Sequence, residues 1–383
     1  MSATPMPKDG SARDIVAIAD ELGQKFAANA ERADEKDEFV ADNYAALKTS
    51  GLVEAGVPRE LGGGGATVPE LAEMLRHMAH HCSSTALAFA MHTHNVATPA
   101  WRWTHQKVAA VEPLLKRVAA ERLVIVTSGG SDWIAGSGKA EKVDGGYKIT
   151  GRKVFSSGSP AGDIMTTSAV LQTETEGAKV IHFAVPMSSP HVKIDPVWRT
   201  LGMRGTGSHD VVIDGHVVPD AAIALTRTAG EWHPLFQVVA CVALPLIYAV
   251  YLGVGESACA IATDLARKRR TDNHVTQLVG RMHTELRGAQ FIYDGMIKLV
   301  SRNTVNPETV NEMLMARQLI ARHLLATVEL ALEAAGGAGF YRVRGLERRF
   351  RDIQGARYHP IQSGPQAQYA GCMALGLPID KVF

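Results

Sequence analysis

A block of roughly a hundred strand-like residues lies between two helical stretches, and that order limits the fold more than any other feature of this chain. From Ser11 to about Val111 apolar residues recur at helical spacing, as in Ile15, Ile18 and Leu22 and again in Leu71, Met74, Leu75 and Met78. A loop at Val57-Pro58 followed by Gly62 to Gly65 interrupts them. From about Leu123 to Leu225 the runs are short and β-branched, as in Leu123–Val126, Val180–Val185 and Val211–Ile213, with Gly, Asp and Pro between them. Asp144-Gly145-Gly146 predicts a hairpin there. Helical spacing returns over Phe236–Arg270 and Pro307–Ala335, and Gly336-Gly337-Ala338-Gly339 predicts a helix stop. The strands and helices do not alternate as βαβ units, which argues against Rossmann and TIM-barrel architectures. The 383 residues therefore divide into a helical domain at 1–120, a β-barrel domain at 121–228 and a helical bundle at 229–383, an α+β chain.

Charge removes several function classes. Lys plus Arg is 40 and Asp plus Glu is 39, so no net field attracts nucleic acid or anionic lipid. The four cysteines, Cys82, Cys241, Cys259 and Cys372, have neither CxxC nor metal-ligand spacing, which fits a reducing compartment without a disulfide framework. The first residues contain no apolar run of the signal-peptide kind. Phe236–Val254 comes nearest to a membrane span but contains Gln237, Pro245, Tyr248 and Tyr251, so the expectation is a cytoplasmic enzyme that does not enter membrane.

Three segments carry chemistry. Thr127-Ser128-Gly129-Gly130-Ser131-Asp132 gathers hydroxyls and backbone N–H groups at a strand end, suited to a flat heteroaromatic ring, to a phosphate, or to a plain tight turn. Gly151 to Gly158 includes Phe155-Ser156-Ser157, an aromatic followed by two hydroxyls that could face a ring or simply complete a strand. Trp198 to Ser208 holds one fixed cation, Arg204, which is either a phosphate or carbonyl contact or part of a surface loop. His77 and His81 have the i, i+4 spacing of metal ligands, but without H-E-x-x-H they read as a helix face, and no metal is expected. His92 and His94 are candidates to line a cavity.

In order and spacing these segments resemble the acyl-CoA dehydrogenase family along essentially the whole chain. Val57-Pro58 with its glycines is similar to the family's VP…GG loop, Thr127-Ser128 with Gly130-Ser131-Asp132 to a shortened TEP-x-x-GSD loop, and Gly151 with Lys153 to Ser157 to the G-x-K-x-W-I-T strand. Leu201-Gly202-Met203-Arg204 with Val218-Pro219 is similar to LG-x-R…VP, Glu333 to Phe340 to Q-x-x-GG-x-GY, and Arg351-Asp352 to the late RD. The resemblance implies FAD, with FMN as the alternative, between the β domain and a C-terminal four-helix bundle, in a homotetramer or dimer. By position it implies cofactor contacts from Thr127, Ser128, Phe155, Ser156 and Ser157 at the ring, from Arg269 at the pyrophosphate, and from Gly336 and Gly337 toward a neighbouring subunit's cofactor. Ser131, His92 and Arg204 are the corresponding substrate candidates. Glu333 stands where the family has glutamine.

The resemblance breaks at the catalytic base. One family position for the glutamate is Pro360 here and the other is Ala243. Arg351-Asp352 is instead followed, seven places after the aspartate, by His359, as in the monooxygenase branch of the superfamily, and a neutral imidazole can deprotonate an acidic substrate. The general expectation is a flavin oxidoreductase of the dehydrogenase type, with hydride transfer from an acyl-CoA or similar substrate. The alternative is a two-component monooxygenase using reduced flavin and O2, and the second alternative is a non-catalytic flavin-binding scaffold. A flavin reductase or an electron-transfer flavoprotein is the implied partner.

Overall fold

The computed structural model of the chain describes residues 14–130 and 135–380. It begins with the helices α1 (Ile15–Lys36), α2 (Ala41–Ser50), α3 (Val68–His81), α4 (Ser83–Gln106) and α5 (Glu112–Glu121). The strands β1 (Ile125–Thr127), β2 (Lys139–Val143), β3 (Gly146–Ser156), β4 (Ile164–Thr173), β5 (Gly177–Pro186), β6 (Val192–Asp195), β7 (His209–Pro219) and β8 (Leu225–Thr228) follow. The chain then returns to helix in α6 (Pro234–Ala266), α7 (Asn273–Ser301), α8 (Pro307–Ala335), α9 (Leu346–Ile353) and α10 (Ser363–Leu375).

Local chemistry sets these boundaries. Thr67 and Glu70 form a reciprocal capping box at the start of α3. Asn306 caps α8, Pro307 occupies its first turn, and Gly336 at φ +62° ends it. β2 and β3 are joined through Asp144 and Gly145, with Gly145 at φ +70°, as the hairpin signal predicts.

The strands hydrogen-bond in the order β6-β7-β3-β2-β4-β5-β8, and β1 joins β4 in parallel. Among the described residues β6 and β8 do not pair with each other, so the expected barrel is a sheet left open at its outer strands. Its own core consists of small and β-branched side chains such as Ala140, Ile149, Ile181, Val185 and Ile213.

Helix α6 is the axis of the rest. It packs against α3 and α4 on one side and α7 and α8 on the other. A helix enclosed all round has no polar face to present, which explains its uniform apolarity. The helical run Pro234–Arg269 is long and apolar enough to cross a membrane, but 94% of its most apolar stretch is buried inside the protein.

A carboxylate on this helix ties three helices together. Glu256 accepts from Arg76 Nε at 2.9 Å, from the Arg76 fork a second time, from His80 Nε2 at 2.8 Å and from Gln290 Nε2 at 2.7 Å. Burial pushes its pKa up, but the hydrogen bonds from His80 and Arg76 outweigh burial and hold it down at about 2. Because the folded value lies below the unfolded one, this contribution is complete above about pH 4.5 and is lost as pH falls toward 2, on the order of 3 kcal/mol in all. Thermal melts of wild type and Glu256→Gln between pH 7 and pH 3 should show a stability gap that narrows as pH falls. A gap independent of pH would show that Glu256 is not the group responsible.

Candidate functional site

Glycines bring the separate motif segments into contact. The Gly129 N–H donates to the Val154 carbonyl at 2.8 Å, joining the loop after β1 to β3. A Cβ on Gly130 would stand 2.2 Å from Cγ of Pro360, so this loop lies against the turn that follows α9 because residue 130 has no side chain. The Ser157 and Ser208 hydroxyls are 2.7 Å apart, Thr206 is 2.7 Å from Ser208, and the Gly158 N–H donates to the Thr206 carbonyl at 2.9 Å. Asp352 closes the ring of contacts. It accepts from the Met203 N–H at 2.5 Å and from the Ser83 hydroxyl. Beside it Arg351 pairs with Asp34 at 2.8 and 2.5 Å and with Glu347 at 2.7 Å.

Where these segments meet, Phe155 stands 60% exposed in the left-handed region at φ +53°, with Trp198 edge-on at 5.8 Å. An exposed aromatic held at a strained backbone position is unusual enough to suggest use. Ser157 and Thr127 are half-buried near it, and Ser128 is buried with Oγ 3.1 Å from the Thr167 hydroxyl. Ser156 differs from expectation. It is fully buried and donates to the Lys153 carbonyl at 3.2 Å, because the irregularity between Lys153 and Ser156, where Phe155 takes positive φ, breaks the strand's alternation and turns both Lys153 and Ser156 inward. Ser131 lies outside the described residues.

His359 sits in the turn beside Pro360. The Tyr251 ring of α6 meets its imidazole edge-on at 5.4 Å. Burial first, then the Arg317 cation and His94, hold its pKa down at about 3. The imidazole is therefore neutral at ordinary pH, able to accept a proton or a hydrogen bond.

Helix geometry separates the two candidate histidines of α4. Residues two apart lie about 200° apart around a helix, so His92 and His94 point to opposite sides. His92 is clamped by backbone: Nδ1 accepts from the Ile125 N–H at 3.0 Å and Nε2 donates to the Val53 carbonyl at 2.8 Å. With both nitrogens engaged and burial pushing its pKa down to about 4, His92 has nothing to offer a substrate and instead fixes β1 to the helical domain. His94, also buried and pushed down to about 4 by its burial, faces the His359 side. Position in the helix was the available signal that His92 and His94 do different work.

Other candidates are used elsewhere. Arg204 donates to the Thr200 carbonyl at 3.0 Å and the Asp34 carbonyl at 3.2 Å and lies 3.5 Å from the Asp37 carboxylate, so it holds the end of α1 rather than a substrate. Arg269 donates to the Ala334 carbonyl, and its guanidinium would lie 3.2 Å from a Gly336 Cβ. Expected on opposite sides of a shared cofactor, Arg269 and the Gly336-Gly337 turn form one corner of the same chain. That corner is remote from His359, since α6 rises roughly 22 Å between Tyr251 and Ala266. His77 does have a carboxylate partner, Asp20 at 2.9 Å, which His81 approaches at 3.5 Å. No cluster able to hold a metal ion is found among the described residues.

Comparison with known proteins completes the picture. The N-terminal, middle and C-terminal domain profiles of acyl-CoA dehydrogenases match residues 12–116, 127–216 and 246–363. The chain is 30% identical to a dibenzothiophene monooxygenase of Rhodococcus erythropolis over 285 residues, 68% of this chain and 64% of that protein. It thus spans less than two thirds of that relative's length. It is 25% identical over 90% of its length to a putative acyl-CoA dehydrogenase, YdbM, of Bacillus subtilis, covering 91% of that protein. The structure of KijD3 in complex with FMN and a dTDP-linked amino sugar has the same fold, with TM-score 0.86 and 23% identity over 99% of this chain and 97% of that one.

The contact between Gly130 and Pro360 is open to direct test. Gly130→Ala should destabilise the protein by about 1–3 kcal/mol through overpacking, read by chemical denaturation. A variant as stable as wild type would show that the two segments do not press together.

Proposed function

The chain belongs to the acyl-CoA dehydrogenase family, and on that premise we propose that it is a flavin-dependent monooxygenase rather than an acyl-CoA dehydrogenase. The observation that carries the proposal is the composition of the site. Pro360 and Ala243 stand in the two family positions for the glutamate base, and Asp352, a buried carboxylate nearby, has both oxygens engaged by Met203 and Ser83. A neutral histidine, His359, stands beside Pro360 instead. The similarity to dibenzothiophene monooxygenase supports this reading, and the hydride-transfer expectation gives way to it.

The residues present fit a flavin: an exposed aromatic platform, hydroxyls at its margin, and a loop kept close by Gly129 and Gly130. Thr127, Ser128, Phe155 and Ser157 would hold the ring. We take the flavin to be FMN, in preference to the FAD expected from sequence: KijD3 binds FMN, and the Arg269–Gly336 corner that FAD's distal half would need lies far along α6. Reduced flavin supplies the electrons that activate O2 for transfer of one oxygen atom to an organic substrate, the other leaving as water. Phe155 and Trp198 would shield one side of the site from water. His359 would accept the proton of an acidic substrate group or hydrogen-bond to it, and His94 would lie on the same side. The reading includes a separate flavin reductase, a small aromatic or heteroatom-containing substrate and a homo-oligomer. The free cysteines are consistent with a cytoplasmic setting.

A second reading, dehydrogenation of an acyl-CoA, draws on the near-full-length similarity to YdbM. Anaerobic mixing with a panel of acyl-CoAs separates the two, since a dehydrogenase would bleach its flavin and a monooxygenase would await an external reductant. In the monooxygenase, His359→Ala should retain flavin and lower product formation by about 10²-fold, the usual scale for losing an acid–base group. Full oxygenation by that variant would remove His359 from the mechanism. Ser157→Val should weaken flavin binding by about 1–3 kcal/mol, measured by fluorescence titration, because a polar ring edge loses its partner. An unchanged dissociation constant would place the ring elsewhere.

A further inference from the structure

The turn that carries His359 rests on a buried cation that has no carboxylate partner among the described residues. Arg317 of α8 is 1% exposed. One terminal nitrogen donates to the His359 carbonyl at 2.5 Å and the Ala356 carbonyl at 3.1 Å, and the other donates to Gln318 Oε1 at 2.8 Å. Its Nε is buried without a hydrogen-bond partner. The guanidinium carbon lies 5.5 Å from the centre of the Tyr248 ring, and the Tyr248 hydroxyl donates to the same Ala356 carbonyl at 2.9 Å. Burying a charge against carbonyls and a ring alone is costlier than filling the space with an apolar side chain, so packing does not explain this arginine. A planar guanidinium that reaches two carbonyls with one nitrogen and Gln318 with the other does explain the choice of arginine over lysine.

We propose that Arg317 is a positioning residue for His359, holding the 354–360 turn by two of its carbonyls and standing as a fixed positive charge behind the imidazole. This rests on the reading of His359 as the acid–base group of the site. Among the described residues the groups that face the imidazole are Arg317 from α8, His94 from α4 and Tyr251 from α6. Of these, Arg317 is the permanent charge. It disfavours the imidazolium, acting in the same direction as burial, and the two keep the ring neutral, with a lone pair free to accept a hydrogen bond from an acidic substrate group. Within the turn, the paired carbonyls fix the backbone from which the imidazole projects.

The test needs no substrate. The His359 imidazole is titrated by NMR in the full chain, with His359→Gln providing the assignment, and hydrogen exchange of residues 354–360 is followed by mass spectrometry. Arg317→Gln keeps an amide donor but removes the charge, and it should raise the His359 midpoint by about one unit. Arg317→Lys keeps the charge, so the midpoint should stay near wild type, but its single nitrogen cannot hold both carbonyls and Gln318 in the guanidinium's planar geometry, so exchange in the turn should quicken by about tenfold. A folded Arg317→Gln protein with an unshifted midpoint overturns the charge role. Unchanged exchange in Arg317→Lys overturns the positioning role, and that measurement decides the matter if the glutamine variant does not fold. Both readouts are independent of oxygen chemistry, so a failed monooxygenase assay alongside the expected shifts would fault the proposed function and not the role of Arg317.

Discussion

The carboxylate of Asp352 holds the three parts of the chain to one another. One oxygen accepts from Met203, in the loop before β7, and the other from Ser83, at the start of α4. Burial raises its pKa, and the two hydrogen bonds work against that rise. Arg351, one residue earlier, reaches Asp34 near the end of α1. A short helix of eight residues thus draws in the helical N-terminus, the β sheet and, through α6 and α8, the bundle. Losing either partner would strand a buried polar group, which costs more than a surface contact of the same kind.

From that anchor the site follows in a few steps. Asp352 places α9, α9 leads into the turn that ends at His359 and Pro360, and Pro360 lies against Gly130. On the far side α6 supplies Tyr248 and Tyr251 as the floor of the same turn. The aromatic platform of Phe155 and Trp198 is set by β3 and the loop before β7, fastened to each other through the hydroxyl contacts at Ser157, Thr206 and Ser208. Chemistry and stability draw on the same contacts here.

Much of this was legible in the sequence where the governing physics is local. Asp144-Gly145 makes its turn by its own backbone preferences, Gly336 ends α8, and the change from helical to alternating spacing marks where the sheet begins. The order of motifs was enough for the family. What escaped depends on partners far along the chain. Arg204 reads as a free cation until the Asp34 carbonyl is found beside it, and Ser156 reads as a ring contact until the irregularity between Lys153 and Ser156 turns it inward. Nothing local in α8 marks Arg317, since its burial follows from the fold of residues about forty positions later. Closure of the β domain is a related case: it depends on whether the outer strands meet, and no strand's own sequence states that.

The contact between Gly130 and Pro360 joins residues about 230 positions apart in sequence. Contacts of that span come late in folding, after the nearer helix pairs and hairpins have formed, because the chain entropy lost in closing so long a loop is recovered only once many supporting contacts exist. The cleft is therefore assembled from parts that are already folded, and it can come apart while they remain so. Partial opening at this seam would release His359 from the aromatic platform without melting either the sheet or the bundle. Under the proposed function, in which reduced flavin comes from a separate reductase, such a seam is where entry and exit would cost least.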